Sequence, residues 1–109
     1  MNAEFVKVAD KNEIASGTVK VFSVGDHRIA LCRVDDVFYA VADLCTHDGG
    51  PLGEGELVDH QIECPRHGAR FDIETGKALC LPAVLAIPTY KVEARQEEVW
   101  VALHAYVKS

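Results

Sequence analysis

Apolar and polar residues alternate over much of both ends of the chain. EFVKVA (Glu4 to Ala9) carries the two-residue period of a half-buried strand. TVKVFSV runs to Val24, Gly25-Asp26 supplies a turn, and HRIALCRV resumes the strand pattern. Asp35-Asp36 turns the chain again before VFYAVA. These segments predict strands in hairpin-like succession ahead of residue 43. Towards the other end, TYKVEA and VWVALHAYV flank the polar stretch Arg95 to Glu98 and predict a further hairpin. No stretch keeps a helical period beyond a turn or two.

Residues 43 to 77 break the pattern. They hold six of the eight glycines and two stretches that echo one another, CTHDGGPLG from Cys45 and CPRHGARFD from Cys64. A chain of 109 residues is long enough for one domain and not two. The pattern therefore predicts an all-β single domain over 1–109. Its base, a sandwich or barrel, is built from about 1–42 and 78–109, with a lobe inserted over about 43–77. Functional loops on a rigid β scaffold are a common arrangement.

The two echoing loops carry the chemistry. Their spacing is C-x-H, sixteen residues, then C-x-x-H, which places Cys45, His47, Cys64 and His67 as candidate metal ligands. Zinc fingers and ribbons usually pair two cysteines, or two histidines, within one half of the site. Here each half is mixed. A mixed half suits a binuclear centre, sending its Cys to one iron and its His to the other. A mononuclear Cys2His2 zinc site remains the alternative. Metal content and colour separate the two, since the iron–sulfur protein is red-brown and the zinc protein colourless.

The motifs, their order and separation, and the following GARFD-IETGK segment resemble Rieske-type [2Fe–2S] proteins, nearest to the small ferredoxins of bacterial aromatic-ring-hydroxylating dioxygenases. The resemblance implies a Rieske-like β-sandwich base with a cluster-binding lobe and one Rieske-type [2Fe–2S] cluster. Cys45 and Cys64 would then ligate one iron, and His47 and His67 the other. It also implies that Pro82 lies in a third loop shielding the cluster. Pro51 and Leu52 are candidates for apolar cover and for the docking surface. Gly68, with Gly49, Gly50 and Gly53, would let backbone N–H groups approach the inorganic sulfide.

The implied role is a low-potential one-electron carrier between a flavin-containing reductase and a terminal Rieske oxygenase. High-potential relatives add a third cysteine to each loop and place Ser and Tyr hydroxyls near the sulfurs. The matching positions here are Gly50, Arg66, Ala69 and Phe71, so both the brace and the hydroxyl donors are missing. The expected potential lies near the lower end of the Rieske range, roughly −150 mV. An alternative is a Rieske-like small subunit of a larger reductase, similar to that of assimilatory nitrite reductase. A hydroxylating enzyme would need a further iron site and a large substrate domain, for which the chain has no room. No acid/base pair with a substrate pocket stands out, so no catalytic residue is expected.

Composition narrows the partners. A net charge of −6 leaves no basic stripe for nucleic acid but allows steering towards a basic protein surface. Asp43, Asp48 and Glu54 lie near the first loop and are candidates for partner choice; Arg66 and Arg70 flank the second pair. The longest apolar run, Leu79 to Pro88, is about half the length of a membrane span. The first residues lack the apolar stretch of a secretory signal, so a cytoplasmic location is expected. Cys32 and Cys80, each between apolar neighbours, are expected as small buried hydrophobes. His27, His60 and His104 are expected as surface or strand residues, and Trp100 as a packing residue.

Overall fold

The computed structural model describes residues 5–45, 50–65, 68–81 and 85–103. Eleven strands are present among them: β1 (Phe5–Asp10), β2 (Val19–Val24), β3 (His27–Val34), β4 (Val37–Ala42), β5 (Glu56–Val58), β6 (Gln61–Glu63), β7 (Arg70–Asp72), β8 (Ala78–Cys80), β9 (Thr89–Tyr90), β10 (Val92–Arg95) and β11 (Glu98–Ala102). The described residues contain no α-helix, only a single 3-10 turn at Lys11–Glu13.

Three antiparallel sheets result, in the orders β1-β11-β10, β2-β3-β4-β9 and β5-β6-β7-β8. The first two form the base. The third, built from Glu56 to Cys80, enters the chain between β4 and β9 of the second sheet, so it is an insertion, as expected. Its last strand reaches three residues past the boundary near 77.

Two expected pairings differ. β1 does not continue into a hairpin with β2; it pairs with β11, Phe5 opposite Ala102 and Asp10 opposite Glu98. The 3-10 turn redirects the chain after Asp10, where the Lys11 N–H donates to the Glu97 carbonyl at 2.8 Å. TYKVEA is likewise not one strand. It breaks at Lys91, passing from the second sheet (β9) to the first (β10).

The middle sheet is shared by two cores. Ile29, Leu31, Phe38 and Ala40 pack with Val99 and Val101 of the first sheet. From the opposite face, Ala30, Cys32 and Val41 join Ile62, Phe71 and Ile73 of the lobe. This explains IALC in β3, buried throughout at 0% exposure: a strand covered on both faces reads as a continuous apolar run, not an alternation. The lobe thus rests on the base through an apolar layer, and its two loops extend from a fixed platform.

Candidate metal centre

Each cysteine of the two motifs stands at the foot of a closed loop. Beyond β4 the chain stays pinned to the base: the Ala42 N–H donates to the Pro88 carbonyl (2.9 Å) and the Asp43 N–H to the Arg28 carbonyl (3.0 Å). The Cys45 N–H then donates to the Gly50 carbonyl at 2.7 Å. In the connection from β6 to β7, the Cys64 N–H donates to the Ala69 carbonyl, also at 2.7 Å. Donor and acceptor are five residues apart in both. Gly68, at φ +73, tightens the second loop by donating its N–H to the Cys64 carbonyl at 3.2 Å. The echo seen in the sequence is therefore an echo in backbone hydrogen bonding.

Both cysteines are buried in the same core. Cys45 (0% exposed) and Cys64 (1%) belong to one apolar cluster with Leu52, Ile62, Ala69 and Phe71. Neither is in a disulfide. His47 and His67, the other two expected ligands, lie outside the described residues, as does Pro82. Among the described residues, no group of three or more His, Cys, Asp and Glu side chains comes together elsewhere.

This donor set fits a metal cluster. A thiolate buried among apolar groups is strongly disfavoured unless a cation takes up its charge. Two thiols at the feet of matched loops, in one apolar cluster, are suited to a thiolate-binding metal such as iron or zinc. Cys32 shows the contrast: it is buried in the same cluster, far from either loop in sequence, and burial pushes its thiol up to about 12. It is a neutral packing group, as expected. Cys80 is not. It is exposed in β8, and its Sγ lies 3.6 Å from the Gly68 carbonyl, which ties β8 to the second loop.

Further corrections concern the first loop. Leu52 is 0% exposed and packs in the core, so it offers no surface to a partner. Pro51 beside it is exposed. Asp43, expected among the residues of partner choice, is also buried. Its Oδ1 accepts from the Leu52 N–H (2.8 Å) and the Gly53 N–H (2.6 Å), and its Oδ2 pairs with Arg28 at 3.0 Å. No local sequence signal marks this link, since Arg28 lies fifteen residues earlier. Gly53 and Gly55 serve close approach: a Cβ at 53 would strike Val21, and one at 55 the Glu63 carbonyl.

Around the second loop, Arg70 pairs across the ladder with Glu63 at 2.9 Å, so it already has an acidic partner within the chain. Ala69 and Phe71 are both 0% exposed and share the cluster of the two cysteines, so no side-chain hydroxyl stands at either position. Several apolar residues are exposed: Leu44 next to Cys45, and Leu79, Leu81 and Leu85 in and after β8, the last two 77% and 64% exposed. The apolar run from Leu79, too short for a membrane span, contributes this surface. His27 opens β3 with its Nδ1 3.2 Å from the Tyr90 hydroxyl, and exposed His60 stands edge-on to Tyr39. Trp100 is half-buried under the Arg95 guanidinium, 4.3 Å from its ring; His104 lies outside the described residues.

Comparison with known proteins agrees with this geometry. The Rieske [2Fe–2S] domain matches residues 4–91. Ferredoxin CarAc of Metapseudomonas resinovorans is 39% identical over 94% of this chain and 96% of its own length. The ferredoxin component of the naphthalene 1,2-dioxygenase system of Pseudomonas putida is 36% identical over 94% and 99%. A chain in the complex of reduced oxygenase and oxidized ferredoxin in carbazole 1,9a-dioxygenase superposes with a TM-score of 0.89 at 35% identity, covering 98% of this chain and 100% of that one. With its paired cysteine loops and this end-to-end likeness, the chain belongs to the Rieske [2Fe–2S] domain family, whose cofactor is one Rieske-type [2Fe–2S] cluster.

Proposed function

We propose that this chain is a one-electron carrier that takes electrons from a flavin-containing reductase and passes them to the terminal Rieske oxygenase of an aromatic-ring-hydroxylating dioxygenase. One observation carries the reading: two buried cysteines at the feet of matched loops, in a chain that aligns along nearly its whole length with ferredoxin components. It is an electron-transfer component, not the hydroxylating catalyst, and its place is the cytoplasm.

Cys45 and Cys64 would hold one iron, and His47 and His67 the other. When bound, the cluster supplies a reversible one-electron couple. Neutral imidazole ligands in place of two thiolates lower the negative charge an incoming electron meets, raising the potential above that of all-Cys centres. Ala69 and Phe71 act in the opposite sense. They present no hydroxyl to stabilise added negative charge, which holds the potential towards the lower end of the range. Gly68 would keep backbone close to the second pair, and by family resemblance Pro82 would contribute to shielding the cluster.

Docking falls to Leu81, Leu85 and Pro51, with the chain's net negative charge favouring a basic rim on the oxygenase. Leu81→Asp should slow reduction of a carbazole-type terminal oxygenase in stopped-flow mixing by about tenfold or more, with cluster spectrum and thermal midpoint unchanged. Leu52→Asp should instead abolish folding or cluster loading, because it buries a charge in the core. Equal transfer rates for Leu81→Asp and the unaltered protein would remove the docking assignment.

A further inference from the structure

We propose that Asp43 is the positioning residue of the first ligand loop: its buried carboxylate, held by Arg28, fixes the Leu52–Gly53 backbone and with it the seat of Cys45. The Asp43 side chain is 0% exposed, while that of Arg28 is 62% exposed. A buried carboxylate is tolerated only where donors fill it. Here there are four: the N–H groups of Leu52 and Gly53 on Oδ1, and Nε (3.3 Å) and Nη2 (3.0 Å) of Arg28 on Oδ2.

The placement of these partners matters more than their number. Asp43 is anchored to the base by its own N–H on the Arg28 carbonyl, two residues before Cys45. Leu52 sends its side chain into the apolar cluster that contains both Cys45 and Cys64. The first loop is therefore clamped twice, by Cys45 to Gly50 through backbone and by Asp43 to Leu52 and Gly53 through the carboxylate. Gly53 is required for the second clamp, since a Cβ there would overlap Val21 and stand 3.2 Å from Asp43 Oδ1. Residues that orient a metal ligand typically change metal retention by about 10- to 100-fold when altered. Asp43 stands in that relation to Cys45.

The proposal rests on Cys45 being a cluster ligand, and the test separates the two. Asp43→Ala, Asp43→Asn, Arg28→Gln and Cys45→Ser are made in the full, cluster-loaded chain. The readouts are the rate of iron release to a chelator below the unfolding transition, the EPR g values of the reduced state, and hydrogen exchange at the Leu52 and Gly53 amides. Asp43→Ala is expected to release iron ~10- to 100-fold faster, with shifted g values and faster exchange at both amides. Asp43→Asn, which keeps a carbonyl acceptor for the two N–H groups but loses the charge pair with Arg28, should restore part of their protection while still releasing iron several-fold faster than the unaltered chain. Arg28→Gln should be the mildest.

Wild-type release and g values in Asp43→Ala overturn the proposal, whatever its thermal midpoint. Should Asp43→Ala fail to load, wild-type release and g values in both Asp43→Asn and Arg28→Gln overturn it. A Cys45→Ser protein that keeps the cluster with the wild-type spectrum removes the ligand reading and the proposal together. Loss of the cluster in Cys45→Ser, with all Asp43 variants normal, removes the proposal alone.

Discussion

Cys32 shows what burial alone does to a thiol. With no cation to stabilise its thiolate, the folded protein holds the proton up to about 12, against an ordinary value of 9.0. The folded pKa is raised, so the associated stability is fully present below about pH 9 and is lost as pH climbs towards 12. The loss across that window is on the order of 4 kcal/mol. Denaturant unfolding at a series of alkaline pH values should show this fall in the unaltered protein and a shallower one in Cys32→Ala; equal slopes would contradict it. Legibility at this scale followed motif strength. Cys45 and Cys64 could be singled out, and Ala69 and Phe71 noted beside them, because each has a fixed place in a spaced motif. The Asp43–Arg28 clamp joins residues far apart in sequence and could not. Cys80 was misread because apolar neighbours do not guarantee burial: Leu79 and Leu81 are themselves exposed.

Hairpins account for most of the elements, and their turns share one device. Gly25, Asp35, Asp59 and Gln96 all sit at positive φ, each the first residue of a two-residue connection. The turns at Gly25-Asp26 and Asp35-Asp36 were visible because long alternating strands flank them. That at Asp59-His60 was not, since β5 and β6 have only three residues each and no period to detect. Long-range pairing of β1 with β11 also leaves no local trace. The lobe's tolerance for side chains is set by backbone proximity at Gly55, whose N–H donates to the Leu52 carbonyl at 2.9 Å. A Cβ there meets the Glu63 carbonyl, which belongs to a ladder and has little freedom to move. Gly55→Ala should therefore destabilise the folded chain by about 1–3 kcal/mol in denaturant unfolding. Gly17→Ala, with open space but φ +81, should cost only about 1 kcal/mol. A Gly55→Ala effect no larger than that of Gly17→Ala would contradict the crowding.

At the scale of the whole molecule, division of labour follows from the middle sheet. One face of β2-β3-β4-β9 closes the core of the base, and the other carries the lobe, so the two cysteine loops stand on a rigid layer. Net charge of −6 and the exposed leucines after β8 belong to the same level, where partners meet. The fold class was legible because alternation and turn residues are local. The exposed leucines after β8 were not legible, because exposure is decided by the assembled molecule. Everything in the proposed function depends on a His-ligated binuclear cluster of low potential. An EPR-monitored redox titration of the anaerobically purified protein tests that directly. The account requires a reduced-state signal with the low average g value of His-ligated [2Fe–2S] centres and a midpoint of roughly −150 mV. A clearly positive midpoint would contradict the reading of Ala69 and Phe71, and a zinc-bearing protein with no paramagnetic signal would contradict electron transfer itself.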